Sequence, residues 1–198
     1  MTNLWNERFN TTEYIYGEEP NAFIKEYTFQ LENLKKVAAF AEGEGRNAIF
    51  LAKSGHDVTT FDYVESGLNK TVQLAEKNNV KVKTVQVDLL EGSVPNEQFD
   101  AAIMVFGHFR KEDQRNVFEK ILKSVKPGGK IMMELYSEKQ LDYRTGGPKK
   151  LEMLYKPQDI LDWCENYKIV HFFVGEQSRQ EGTLHTGLAH VIQLIIEK

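Results

Sequence analysis

Two glycines, Gly43 and Gly45, stand in the stretch AEGEGRNAIFLAKSG, where the apolar run Val37 to Ala41 ends. Glycines at this spacing remove two Cβ atoms where the chain must bend and let a ligand approach the backbone. Ala48, Ile49, Leu51 and Ala52 follow at helical spacing, and Gly55 is placed to stop that helix. A strand, a G-x-G turn and a helix start together form a crevice for a nucleotide-type cofactor. Asp57 to Tyr63 reads as the next strand and ends in an acid, Asp62, where a carboxylate can accept both hydroxyls of a ribose. His108 follows a fourth apolar run, on the side of a sheet where ligands bind. A neutral imidazole there either takes a proton from a substrate, or orients it, or caps the helix that follows.

These residues need a scaffold, and the hydrophobic pattern describes one. Pro20 and Asn21 open a helix through Phe23, Ile24, Tyr27 and Leu31. Ser66 is placed to N-cap a helix carrying Leu68, Val72 and Ala75. Val82 to Leu90 reads as the third strand, with Asp88 near its end. Phe99 to Phe109 is almost continuously apolar, as in a strand covered on both faces. Val117, Phe118, Ile121, Leu122 and Val125 trace a helix face, closed by a Pro127-Gly128-Gly129 turn before a fifth strand, Ile131 to Tyr136. A short helix surrounds Ile160, Leu161 and Cys164. Ile169 to Val174 and Leu188 to Ile196 are then two more strands, separated by the polar segment EQSRQEGTLHTG. No helix fits between them, so they pair as an antiparallel hairpin at the sheet edge. The expected fold is α/β, a Rossmann-like doubly wound sheet of seven strands, mostly parallel, with a C-terminal antiparallel β-hairpin. It occupies 1–198 as one domain.

Composition narrows the chemistry. The net charge of −4 supplies no global basic field, which argues against a nucleic-acid partner. No apolar run is long enough to span a bilayer and no signal-peptide core is visible, so a cytoplasmic protein without a membrane partner is expected. The single cysteine excludes an internal disulfide. None of the five histidines has the i, i+4 spacing of a zinc helix, and no metal is expected. Glu134, inside the strand IMMELYS, must face a pocket or pair with a buried arginine, because a lone buried carboxylate is costly.

The chain resembles the class I S-adenosylmethionine-dependent methyltransferases. The resemblance is carried by EGEGRNA at Glu42 to Ala48, Asp62, VDLL at Val87 to Leu90, FGHF at Phe106 to Phe109 and VKPGG at Val125 to Gly129. Within that class it is similar to the small-molecule methyltransferases of the tellurite-resistance type, through YIYGEEPNAFI, RTGGP and the late EGTLHTGLA. S-adenosyl-L-methionine is the implied cofactor, and a small thiol, selenol or metalloid oxyanion the implied acceptor. The resemblance sets Ala41, Glu42, Gly43, Gly45 and Asn47 around the methionine portion, and Asp62 with Tyr63 at the ribose. It sets Asp88 at the adenine amino group, with Leu89 and Phe106 on the ring. Residues 1–20 become a lid, with Tyr14, Tyr16 and Gly17 facing the cofactor and Trp5 and Phe9 as anchors. Arg144 and His185 fall in loops on the acceptor side, and a monomer or homodimer is expected. Ala39 and Ala41 depart from the family pattern, which has an acid and a glycine there. Glu42 or Glu44 then supplies the missing negative charge. An NAD(P)-binding oxidoreductase shares the glycine pattern and the ribose acid, and a cofactor-binding protein without turnover is the other alternative.

Overall fold

The computed structural model describes residues 4–198, so Met1 to Asn3 of the expected lid lie outside it. Parallel strands β1 (Lys36–Phe40), β2 (Asp57–Asp62), β3 (Val82–Gln86), β4 (Phe99–Val105) and β5 (Val125–Tyr136) are followed by the hairpin β6 (Lys168–Glu181) and β7 (His185–Glu197). The sheet order is β3-β2-β1-β4-β5-β7-β6, with β7 antiparallel to both of its neighbours. This is the expected seven-stranded, mostly parallel sheet with a terminal hairpin. The order reverses between β1 and β4, and in open α/β sheets ligands bind beyond the strand ends at such a switch.

Alternation along the central strands separates two apolar layers. Ala38, Phe40, Ala102 and Met104 face helices α5 (Lys111–Ser124) and α6 (Pro157–Trp163) through Phe118, Ile121 and Ile160. Val37, Ala39, Ala101 and Ile103 face α2 (Ala22–Glu26) and α3 (Arg46–Lys53) through Phe23, Ile24 and Leu51. α4 (Glu65–Lys77) packs beside α3, and α1 (Leu4–Phe9) lies against α4.

Several boundaries differ from the sequence reading, each for a physical reason. Asn21 does cap α2, accepting from Ile24 N–H, but the helix yields at Tyr27 to a 3₁₀ turn over Thr28–Leu31. Ser66 is not a cap. Val64 holds that position, and the Ser66 hydroxyl instead donates to Asn6 Oδ1 at 2.9 Å. The third strand stops at Gln86, freeing residues 87–90 as a loop. The fourth stops at Val105 because Phe106 takes φ 53°, outside the extended region. The Pro127–Gly129 turn is absorbed into the head of β5, where pairing with β4 slips between Phe99 and Ala101. The largest difference is the hairpin: most of the polar segment is strand, and the arms are joined only across Gly182 to Leu184. Cross-strand pairing runs unbroken from His171–Ile195 to Glu181–His185 and overrides the weak strand propensity of these polar residues.

Candidate active site

A cavity of about 310 Å³ opens at the carboxyl ends of β1, β2 and β4. Ala41, Glu42, Gly43, Asn47, Asp62, Tyr63, Asp88, Leu89, Phe106 and His108 all line it. Gly45 stands just behind, at φ 90°, where an added Cβ would strike the Thr71 side chain at 2.6 Å. Tyr14 is elsewhere: its hydroxyl donates to Lys70 O at 3.1 Å and its ring lies under the Lys70 ammonium, against α4. The N-terminal residues that do reach the cavity are Trp5, Phe9, Tyr16 and Gly17. Phe9 fits because Gly43 and Gly67 carry no Cβ, which would meet its ring at about 3.0 Å.

The turn itself is already dense with hydrogen bonds. The Glu42 carboxylate accepts from the backbone N–H of Asn47 and Ala48, both at 2.8 Å, and so caps α3 from within the turn. Asp62 accepts from Gly43 N–H at 2.8 Å and Val64 N–H at 2.9 Å. The amides of Gly43, Asn47 and Ala48 are therefore spent on the chain's own acids. Burial pushes the Glu42 carboxyl up to about 7, against the hydrogen bonds that lower it. The Asp62 carboxyl is also raised, again by burial. The Glu44 carboxylate is paired with the Lys70 ammonium. Asp88 is an exposed rim residue that accepts from Leu90 N–H at 2.8 Å.

The opposite wall is aromatic and imidazole. Phe106 stacks on Tyr136 with ring centres 4.2 Å apart, and the Arg179 guanidinium lies 4.4 Å over it. His185, from the hairpin tip, packs 4.4 Å from Tyr16 and 5.1 Å from Phe106. His108 lies 5.3 Å from Trp5. His108 Nε2 and His185 Nδ1 are buried without a hydrogen-bond partner. Burial, with the nearby Arg8 charge, lowers His108 to about 4, and His185 is depressed further by burial, Arg46 and Arg179. Both rings are therefore neutral at ordinary pH. Among the described residues no cluster of potential metal ligands occurs, and no helix is long and apolar enough to cross a membrane.

Residues 37–129 match the methyltransferase domain family. That segment, just under half of the chain, is similar to a methyltransferase domain. A curated relative, the probable S-adenosyl-L-methionine-dependent methyltransferase TehB of Haemophilus influenzae, is 23% identical over 174 residues, covering 84% of this chain and 58% of the relative. The chain thus spans little more than half the length of that relative. The crystal structure of TehB from Haemophilus influenzae superposes with a TM-score of 0.75 at 14% identity, covering 98% of this chain and 65% of that one. A methyltransferase from Methanosarcina mazei gives 0.68 at 16% identity, covering 91% and 98%.

The cofactor of such a domain is S-adenosylmethionine, and the cavity fits it in kind. Glu42 is a buried acid whose charged form is held back for want of a contacting cation, and the cofactor carries an ammonium. Leu89, Val64 and Val87 offer an apolar wall, with the carboxylates of Asp62 and Asp88 beside it. The departure at Ala41 has a measurable cost, because Ala41 sits at φ 49°, a conformation that glycine takes freely and other L-residues at roughly 1–2 kcal/mol.

Sequence reasoning missed Arg46, Arg179 and Glu181. Arg46 lines the cavity, although the sequence reading gives it no role of its own. Arg179 and Glu181 fall in the polar segment between the last two expected strands, where their i, i+2 spacing is the sign of a shared strand face. Glu134 pairs with buried Arg179 at 2.6 Å, the second of its two expected fates.

Proposed function

We propose that this protein transfers a methyl group from S-adenosylmethionine to a small acceptor of thiol, selenol or metalloid-oxyanion type, by in-line displacement. The observation carrying this reading is the cavity, which gathers buried acids on one wall and neutral imidazoles on the other. When bound, the cofactor supplies a methyl group that its sulfonium already makes electrophilic. Glu42 then holds the cofactor's ammonium, while Asp62 accepts the ribose hydroxyls. Asp88 accepts from the adenine amino group, and Leu89 packs on the purine.

Phe106 also packs on the purine, and the acceptor end falls to Tyr16, His108 and His185. A neutral imidazole held near pKa 4 is a weak base, and Brønsted behaviour makes it a poor partner for an alcohol or amine. It serves an acceptor that ionises readily, accepting a hydrogen bond or a proton at His108 Nε2. Residues 4–20 act as the lid, with Trp5 and Phe9 shutting water out and holding the reacting groups together.

Calorimetric titration with S-adenosylmethionine and S-adenosylhomocysteine tests the cofactor. Binding of both is expected, and binding of neither defeats the reading. Incubation of the charged enzyme with selenite, tellurite and small thiols tests the acceptor. Methylated product from one of them is expected, and none from any removes the acceptor assignment while leaving the cofactor intact.

A further inference from the structure

Beneath the cavity wall lies a buried ionic network that the proposed chemistry does not use. Arg46, the first residue of α3, pairs through Nη2 with Glu181 Oε2 at 2.7 Å, both side chains less than a tenth exposed. Its Nη1 donates to Tyr16 O at 3.3 Å. The other Glu181 oxygen accepts from Asn21 Nδ2 at 3.2 Å and Ala22 N–H at 3.1 Å. Two residues back on the same strand face, Arg179 pairs with Glu134, which also accepts from Asn21 Nδ2 at 2.7 Å and Gln193 Nε2 at 2.6 Å. The network therefore joins the N-terminal segment, α2, the helix after the glycine turn, β5 and the hairpin.

Its position gives it a task. Glu181 and His185 are the last paired residues of the hairpin ladder, directly opposite each other. Holding Glu181 holds the backbone that aims His185 into the cavity. Glu181 itself is not among the lining residues, whereas Arg46 and His185 are. Desolvation largely cancels the stabilisation of a buried ion pair, so such a pair places elements more than it strengthens a fold.

We infer that Glu181 is a positioning residue: through Arg46 it clamps the hairpin tip, and with it His185 and Tyr16, to the helix that begins at the cofactor turn. Occupation of the cofactor side then tightens the acceptor wall through the same ion pair. The coupling rests on the S-adenosylmethionine reading, while the clamp itself does not.

The test is amide hydrogen exchange of the full chain, wild type against Glu181→Gln, Arg46→Met and the double variant, with and without S-adenosylhomocysteine. Without ligand, exchange at residues 182–187 is expected to quicken at least tenfold in each single variant, with amides of β1 and β4 unchanged. In the Arg46→Met background, which already lacks the ion pair and the hydrogen bond to Tyr16 O, Glu181→Gln should add little further. In wild type S-adenosylhomocysteine slows the tip, and in the variants it no longer does. Unchanged tip exchange, additive effects, or loss of protection throughout the sheet would each overturn the clamp. Should Glu181→Gln fail to fold, the double variant, which leaves no unpaired buried charge between the two positions, decides the matter on the same readout. If calorimetry shows no binding of S-adenosylhomocysteine to wild type, the cofactor reading falls alone, and the ligand-free comparison still judges the clamp.

Discussion

At Glu42 two forces oppose each other, and the balance can be read by titration. Burial favours the protonated carboxyl, while the amides of Asn47 and Ala48 favour the charged one, and burial wins. A cofactor ammonium would restore the charge, so binding near pH 6.5 should release a proton. Calorimetry of S-adenosylhomocysteine in buffers of different ionisation heat should report that release, and Glu42→Gln should abolish it. The same shift bears on folding. A folded pKa near 7, above the ordinary 4.5, means that the native state holds the proton more tightly. This contribution is complete below about pH 4.5 and is lost as pH rises through about 7. Glu42→Gln should therefore be relatively more stable at pH 8 than at pH 5, compared with wild type in urea unfolding. Asp62 does double duty. Asp62→Ala strands the amides of Gly43 and Val64, costing on the order of 2–4 kcal/mol in a urea titration, and should weaken S-adenosylhomocysteine binding as well.

At the scale of elements, the hairpin turn and the N-terminal segment are fitted to each other. Gly182 sits at φ 62°, and a Cβ there would come within 2.3 Å of Ile15 O. Thr183 N–H donates to that same oxygen at 3.0 Å. Gly182→Ala combines backbone strain with a clash against main chain, and should cost more than about 1–2 kcal/mol by urea unfolding. It should also loosen Tyr16, which limited proteolysis within residues 10–20 would detect. The contact joins YIYGEEP to EGTLHTG, two segments that the sequence alone marks as related features but cannot bring together.

For the whole molecule, ligand linkage gives the simplest reading. S-adenosylhomocysteine at a hundred times its Kd should stabilise the fold by about 2.7 kcal/mol. For a chain of this size that is a rise in Tm of about 5–10 °C. NAD and NADP should give none, and a rise with either instead would favour an oxidoreductase. The effect is global because the cavity lies where β1, β2 and β4 end, strands whose residues supply both apolar layers.

The alternation of strands and helices, the glycine turn and the acid ending β2 are local properties, stored in periodicity and in residue types a few positions apart. Local sequence determined them, and with them the cavity wall built by residues 41–47 and Asp62. The opposite wall was decided by tertiary structure. Residues 176–181 are polar and poor strand formers, and only pairing with β7 extends them far enough to carry Glu181 and His185 over the site. Asn21 and Glu181 meet across 160 residues of chain, and nothing local to either announces the other. Burial likewise turned Glu42 into the cap of α3, a role that depends on the turn folding back over the helix start. Apolar periodicity survives in a linear sequence, whereas the pairing of buried charges depends on which strand ends the sheet brings together.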